Sequence, residues 1–303
     1  MPTRLFHISD VHFGVEDRAA LDAVAAAVAA ERPDAVVCTG DLTQRAKHTE
    51  YAAAREWFAA LGVPVVLEPG NHDMPYYNPW ERFTDPFRRF ESLRAAVSGG
   101  FESPDVVLVP LRTTVRAQTR IPWSDGVVKP AALRATLAAL EALQGDPRTI
   151  IVIAHHPLLG PDGGRHNPTI GGDAAFAQLA AAGAHAVISG HVHVPFDEVR
   201  SRNGHATRMI GAGTLSQRVR STPPSFNELR IKDGGVEVRV RNVEAVPTPD
   251  MQIADVPPDA LPPREPGEPA VCPAAVPLAS HELHRSVQHP GDNPARRAGR
   301  HRR

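Results

Sequence analysis

Short apolar segments alternate with longer segments of helical periodicity along residues 1–246. Apolar segments bounded by glycine, proline or polar residues are typical of buried strands. They predict strands over 3–9, 35–39, 63–68, 106–110, 113–116, 149–154 and 186–189. Apolar residues at helical spacing predict helices over 21–31, 49–61, 130–143 and 173–182.

The last part of this region has no helical periodicity. Four successive strands are predicted over 196–200, 207–211, 226–231 and 236–242, with Gly234-Gly235 as a hairpin turn. Alternating strands and helices followed by an antiparallel series predict one α/β domain over 1–246, with two sheets and helices outside them.

The pattern changes at residue 247. From there the chain is rich in proline and loses its apolar periodicity, which predicts a disordered tail over 247–303. Five arginines stand in its last eight residues, 296–303. We interpret this tail as a solvated extension, with contact to nucleic acid or anionic lipid as the alternative.

The composition of the chain excludes several classes of protein. The two cysteines of this 303-residue chain, Cys38 and Cys272, permit at most one disulfide, which excludes a disulfide-stapled secreted scaffold. The net charge of -1 gives no general attraction for nucleic acid, which we do not expect as a partner. No apolar run reaches the length of about 18 residues that a membrane span needs. With no signal-peptide pattern at the N-terminus, we expect a cytoplasmic chain.

Polar residues of the types that bind metals follow five of the predicted strands directly. They are Asp10 and His12, then Asp41, then Asn71, His72 and Asp73, then His155 and His156, and finally His191 and His193. Ligands of open α/β sheets bind outside the carboxyl ends of the strands, so these loops can converge at one sheet edge. Each motif alone is equally compatible with a turn or a cap, whereas the five together favour a site.

The chemistry of this set indicates metals. Carboxylates, imidazoles and one amide, without a thiolate, favour Mn²⁺, iron (Fe²⁺ or Fe³⁺) or Zn²⁺ over a structural zinc site. Even seven ligands out of these ten residues are too many for one ion with open positions, and they suit two ions that share a carboxylate. Two-metal sites hold their ions about 3.5–4 Å apart and clamp a phosphoryl group.

The five motifs, in this order, resemble those of the calcineurin-like metallophosphoesterase superfamily, over residues 5–242. Within it, the chain is similar to the bacterial class III cyclic-nucleotide phosphodiesterases. The segment 7–14 (HISDVHFG) fits that group, and so, less specifically, does 211–214 (GAGT). The resemblance implies a two-sheet β-sandwich flanked by helices, with a dinuclear metal site at one sheet edge.

The resemblance also implies a role for each site residue. The first metal is bound by Asp10, His12 and His193, the second by Asn71, His155 and His191, and Asp41 bridges both. His72 contacts the phosphoryl group or the leaving oxygen, and we expect Asp73 to orient it. Gly40, Gly70 and Gly190 would allow tight turns from strand to loop.

Other residues are weaker candidates. Arg165, in the glycine-rich segment 160–172, could clamp phosphate, and His48, with Arg45 and Lys47, could lie at the mouth of the site. We expect supporting or interior positions for His7 and His156. The aromatic residues after the third motif, and Trp123, could stack on a base, although packing is the preferred interpretation. The aromatic residues are Tyr76, Tyr77 and Trp80, and the same two interpretations apply to the neighbouring Met74.

Together these observations predict a dinuclear metal-dependent phosphoesterase that hydrolyses small-molecule phosphodiesters. The resemblance suggests 3′,5′-cyclic nucleotides, and the mechanism it implies uses a metal-activated hydroxide with His72 assisting the leaving group. The alternatives are a nuclease, a phosphomonoesterase acting on a nucleotide or lipid precursor, and a protein-binding scaffold of the same fold. Alanine-rich helices and an open sheet edge could support a homodimer.

Overall fold

Two five-stranded sheets form the framework of the computed structural model, which describes residues 2–119, 121–160 and 169–243. The first sheet has the order β12-β11-β1-β2-β3 and the second β4-β6-β8-β10-β9. Their strands are β1 Thr3–Ile8, β2 Ala35–Cys38, β3 Val65–Leu67, β4 Val106–Pro110, β6 Thr149–Ile153, β8 Ala186–Ser189, β9 Phe196–Arg202, β10 His205–Gly211, β11 Ser225–Lys232 and β12 Gly235–Asn242. A small additional pair joins β5 Gly126–Val127 to β7 Thr169–Ile170. The predicted tail over 247–303 lies outside the described residues.

Six helices cover the outer faces in the part of the chain that the structure describes. They are α1 Arg18–Glu31, α2 His48–Ala60, α3 Pro79–Thr84, α4 Arg88–Val97, α5 Pro130–Ala142 and α6 Gly172–Ala181. α1 begins one turn before its predicted start because the Asp17 side chain accepts a hydrogen bond from the Ala20 amide and caps it. None of these helices is both long enough and apolar enough to cross a bilayer.

The core has three layers. Between the sheets, side chains such as Leu5, Val37, Ile151 and Ile210 pack in one buried cluster. The outer face of the first sheet packs on α1, α2 and α4, and that of the second on α5 and α6. The predicted two-sheet α/β architecture with helices outside is confirmed.

The parallel strands set the position of the candidate site. β1, β2 and β3 are parallel to one another, and so are β4, β6, β8 and β10. Their carboxyl ends therefore lead into loops on one edge of each sheet. A hydrogen bond from the His191 amide to Asp10 Oδ2, 2.8 Å long, joins the loops of the two sheets across that edge.

Two details of the predicted pattern are wrong. Residues 113–116 form no strand, and the Thr113 hydroxyl bonds instead to the ring and the amide of His156. The last hairpin turns at Asp233-Gly234, one residue earlier than predicted. Both residues have positive φ, 50° and 79°, as a two-residue type I′ turn requires.

Glu68 is a buried carboxyl group at the end of β3, where the chain turns toward the third motif. The nearest cation is Arg112, with Nε 3.6 Å from Oε1. Burial raises the pKa of Glu68 from 4.5 to about 7. Between these values the folded protein holds a proton that the unfolded chain has released, so stability falls as the pH rises through this window.

We therefore expect Glu68→Gln, which cannot ionise, to gain stability relative to the wild type as the pH rises. At roughly 1.4 kcal/mol per pKa unit, the gain between about pH 5 and about pH 8 is at most about 3 kcal/mol. Urea unfolding at both pH values measures it, with the exposed Glu237→Gln as control. A stability difference that does not change with pH would contradict the raised pKa.

Candidate metal centre

The first group of candidate ligands comes from the loops after β1 and β8. The Oδ1 atom of Asp10 lies 3.1 Å from His193 Nε2 and 3.7 Å from His12 Nε2. The two imidazole Nε2 atoms are 3.3 Å apart. His193 donates from Nδ1 to the carbonyl oxygen of Arg218, at 2.7 Å, which leaves its Nε2 lone pair facing the group. Three donor atoms thus converge at one point.

The second group comes from the loops after β3, β6 and β8. His155 donates from Nδ1 to the carbonyl oxygen of Thr39 at 2.7 Å. Its Nε2 therefore faces Asn71 Oδ1, 3.1 Å away. The ring of His191 packs against the ring of His155, with centroids 5.2 Å apart. These are the three residues expected around the second metal.

Asp41 lies between the two groups. Its Oδ2 atom is 3.8 Å from His12 Nε2 and 3.5 Å from His155 Nε2. Its Oδ1 atom accepts a hydrogen bond from the His72 amide at 2.8 Å. A single carboxylate thus reaches donor atoms of both groups, as a bridging ligand must.

The electrostatics of the cluster fit metal ions. Burial alone would raise the pKa of Asp10, but the hydrogen bond and charge of His193 outweigh it and hold the pKa below its ordinary value. Asp41, with His155 as its main positive neighbour, has its pKa held well below the ordinary value despite burial. Burial lowers the pKa of His12 to about 3 and that of His191 to about 4, so both rings are neutral.

The raised pKa of His155 shows that the cluster attracts positive charge. Burial disfavours its charged form, but the nearby charge of Asp41 raises the pKa of His155 to about 9. Histidines are the only ion-pair partners of the two buried carboxylates among the described residues. Buried carboxylates that attract a proton to a neighbouring imidazole attract a divalent ion for the same reason.

Backbone conformation singles out the same residues. Nine non-glycine residues in the described ranges have positive φ, and five of them are predicted ligands. These five are Asp10, His12, Asp41, His191 and His193, with φ between 50° and 69°. A left-handed conformation costs on the order of 1–3 kcal/mol at such residues and is typical of functional sites.

Two glycines act through close approach rather than through a turn. Gly70 has φ -96°, so its backbone conformation does not require glycine. A Cβ atom at Gly70 would lie 2.0 Å from Asp41 Oδ1, and one at Gly190 would lie 1.7 Å from Ser9 Oγ. The expected turn role holds at Gly40, which has φ 105°.

We expect Gly70→Ala to displace the Asp41 side chain and to lose most of its bound metal. Elemental analysis of the purified variant after incubation with Mn²⁺ measures this loss. Gly99→Ala is the matched control, because nothing lies within 4 Å of a Cβ atom there. A full metal complement in Gly70→Ala would contradict the placement of Asp41 in the site.

His72 stands beside the ligands, in a group with His12 and Asp41. Its Nδ1 donates to the carbonyl oxygen of Gln44 at 2.6 Å. Its ring meets that of His12 edge to face, with centroids 4.9 Å apart. Nε2 accepts a hydrogen bond from Arg218 Nη1 at 3.1 Å.

The expected orientation of His72 by Asp73 is wrong. The buried Asp73 carboxylate instead accepts hydrogen bonds from the Gly70, Leu42 and Thr43 amides, at 2.8, 3.2 and 2.9 Å. It also accepts a bond from the Thr43 hydroxyl, at 3.0 Å. Burial and the charge of Asp41 raise the pKa of Asp73 to about 7. Asp73 thus fastens the second loop to the third, and Gln44 orients His72.

The two remaining buried histidines support the cluster. His156 is bonded at both ring nitrogens, to the Thr113 hydroxyl at 2.8 Å and to the Ser124 carbonyl at 2.9 Å. Its ring packs on His191, with centroids 4.5 Å apart. His7 is fully buried, with Nε2 3.0 Å from the Thr39 hydroxyl. Both positions agree with the sequence prediction.

The weaker candidates fall into separate groups. Arg165 lies outside the described residues, and His48 is exposed at the start of α2 without a hydrogen bond to the cluster in the described part of the chain. Met74 is buried, as packing requires, but the packing interpretation is wrong for four aromatic residues. Tyr76, Tyr77, Trp80 and Trp123 are 60–79% exposed. Arg45 bonds the Tyr77 hydroxyl and lies over both tyrosine rings.

Sequence reasoning missed two residues that contact His72, Gln44 and Arg218. The Gln44 carbonyl carries no side-chain signal that a pattern could reveal. Arg218 stands four residues after the segment 211–214, which does stand out in the sequence. Inspection of the residues that follow this segment would have drawn attention to Arg218.

Known proteins resemble the chain over this region. The calcineurin-like phosphoesterase family matches residues 3–195. The glycerophosphodiester phosphodiesterase GpdQ of Enterobacter lignolyticus is 40% identical over 80 residues, which cover 23% of this chain and 29% of that protein. A "probable cyclic nucleotide phosphodiesterase" of Synechococcus is 31% identical over 94 residues, 28% of this chain and 35% of that protein. The matches therefore span about a third of the length of these relatives.

A solved structure shares the fold. A dimetal phosphatase from Danio rerio superposes with a TM-score of 0.58 at 15% sequence identity. The superposition covers 80% of this chain and 98% of that chain. At this identity the likeness concerns the architecture only.

Proposed function

Because the chain belongs to the calcineurin-like phosphoesterase family, we propose that it is a metal-dependent hydrolase of phosphodiesters with 3′,5′-cyclic nucleotides as its preferred substrates. One observation carries the proposal. Asp41 lies between two groups of metal-ligand atoms, and the His72 ring, hydrogen-bonded at Nε2 by Arg218, stands beside them. This combination suits attack on a phosphoryl group held by two ions.

The ligands divide as the geometry groups them. Asp10, His12 and His193 would hold one divalent ion, Asn71, His155 and His191 would hold the other, and Asp41 could serve both. Bound divalent ions lower the pKa of a coordinated water and neutralise charge on phosphoryl oxygens. The Nδ1–H bonds of His155 and His193 to backbone carbonyls fix the tautomers that present Nε2 to the ions.

His72 acts on the leaving group. Hydrolysis adds a water oxygen to phosphorus and breaks the bond to one ester oxygen, which departs as an alkoxide unless it receives a proton. With Nδ1 donating to the Gln44 carbonyl, His72 carries the transferable proton on Nε2 when it is charged. That atom faces the cluster, where the ester oxygen must lie.

The preference for cyclic nucleotides rests on three supports. The segment 7–14 resembles class III phosphodiesterases, and one relative is named as a probable cyclic nucleotide phosphodiesterase. Exposed Tyr76 and Tyr77 follow the third motif closely and offer faces on which a base can stack. The near-neutral net charge provides no general attraction for a nucleic-acid backbone.

The homodimer that the sequence suggested stays a prediction.

Metal-stripped protein tests the proposal when Mn²⁺, Fe²⁺ or Zn²⁺ is added back. We expect added metal to restore hydrolysis of an aryl phosphodiester at a rate well above that of the matching monoester. The metal-loaded protein should also hydrolyse 3′,5′-cyclic nucleotides. Monoester preference would instead indicate a phosphatase. Single-stranded DNA cleaved as fast as cyclic nucleotides would indicate a nuclease. Neither bound metal nor activity would indicate a scaffold.

A further inference from the structure

The loop 212–224, between β10 and β11, is fastened to the candidate metal centre. The Thr214 hydroxyl donates to the carbonyl oxygen of Asp10 at 2.7 Å. The Arg218 amide donates to Ser216 Oγ at 3.2 Å, and the Arg218 carbonyl accepts from His193 Nδ1 at 2.7 Å. The backbone of Arg218 is therefore held from two sides, next to the ligands.

The side chain of Arg218 reaches across the mouth of the cluster. Its Nη1 atom lies 3.1 Å from His72 Nε2, 3.3 Å from His12 Nε2 and 3.5 Å from Gln44 Oε1. Two of these contacts are with ring nitrogens that face the space between the loops. The exposed guanidinium thus stands where a ligand enters the site.

The charge of Arg218 has no carboxylate partner within the ranges that the structure describes. Other arginines are neutralised by fork-like pairs, such as Arg89 with Glu81 and Arg208 with Asp197. An arginine is permanently charged, and its planar fork matches the oxygens of a phosphate group. The guanidinium of Arg218 therefore lacks an anion at the point where the proposed substrate presents one.

We propose that Arg218 binds non-bridging oxygens of the substrate's phosphoryl group, on the side of His72. This inference rests on the proposed function and assigns one contact within it. An anion between Arg218 and a charged His72 would offset the repulsion between the two cations. His12 Nε2 has one lone pair, so if it held a metal the guanidinium of Arg218 would be free to turn toward the phosphoryl oxygens.

Arg218→Ala, compared with Arg218→Lys in metal-loaded protein, tests the contact. A lost hydrogen bond to a charged group lowers kcat/KM for an aryl phosphodiester by about 10- to 100-fold. We expect the Kd for inorganic phosphate, measured by calorimetry, to rise by a similar factor. The lysine variant should fall between alanine and wild type, because it keeps the charge but not the fork.

Two controls separate binding from structure. Arg220→Ala changes an arginine of the same loop that makes no hydrogen bond to the cluster in the described part of the chain, and it should match the wild type. Metal content should be unchanged in Arg218→Ala, since the bond to His193 uses the backbone carbonyl. Loss of metal from this variant would overturn the inference in favour of a structural role.

The phosphate titration keeps the inference distinct from the proposed function. Equal phosphate affinity in Arg218→Ala and wild type would overturn the role of Arg218 even if hydrolysis is confirmed. A wild-type protein that hydrolyses no phosphoester would overturn the proposed function. The titration would then still decide the Arg218 contact, because it requires no turnover.

Discussion

Asp41→Asn is expected to lower phosphodiester hydrolysis by at least about a thousandfold. The substitution keeps the shape of the side chain but removes the charge that reaches both ligand groups. Paired ions contribute several kcal/mol of charge stabilisation in the transition state, and each 1.36 kcal/mol corresponds to about tenfold in rate. Steady-state kinetics and elemental analysis of the same preparation should show the loss of activity and the loss of bound metal together.

The control for Asp41 is Asp197→Asn. Asp197 lies on the surface strand β9, pairs with Arg208 and has no ion pair with the cluster residues. The Asp197→Asn substitution should leave activity and metal content unchanged. An Asp41→Asn protein that retains two tightly bound ions per chain would contradict the bridging role.

His72→Ala is expected to keep both ions and to lower kcat by roughly 10²–10⁴, the range for a lost general acid. The loss should be largest for alkyl phosphodiesters, whose alkoxides leave poorly without a proton. An aryl leaving group needs less assistance, so its rate should fall less. Kinetics on one aryl and one alkyl substrate measure this difference.

His205→Ala provides a matched histidine control. His205 is exposed at the start of β10, away from the carboxyl ends of the parallel strands, and its loss should change neither rate. Equal losses on aryl and alkyl substrates in His72→Ala would rule out protonation of the leaving group. Loss of metal from that variant would instead place His72 among the ligands.

Convergence of the candidate ligands was predictable because it follows from parallel strands. Asp10, Asp41, Asn71, His155 and His191 each come directly after a strand or within a few residues of its end. Once the strands are parallel, their carboxyl ends meet at one edge whatever the exact lengths of the strands are. Pattern and residue type therefore sufficed to predict that the candidate ligands lie together.

The contacts that orient the site could not be predicted in this way. His72 is held by a backbone carbonyl, that of Gln44, and every residue type carries such a group. Asp73 stands next to His72 in sequence but points into the loop after β2. Adjacent side chains often point in different directions, so sequence proximity was a poor guide.

Exposure of aromatic residues was a second limit. Tyr76 and Tyr77 have large aromatic side chains of the kind that usually pack in a core, and only the structure shows that they are exposed. Two helices, α3 and α4, were also missed. α3 has only six residues and begins at Pro79 behind the Asn78 cap, so it offers little periodicity.

The central claim is that two metal ions share Asp41. Anomalous diffraction from crystals of the Mn²⁺-loaded protein tests it most directly. We predict two peaks about 3.5–4 Å apart, one beside Asp10, His12 and His193, the other beside Asn71, His155 and His191, with Asp41 touching both. A single peak, or two peaks of which Asp41 touches at most one, would contradict the dinuclear site.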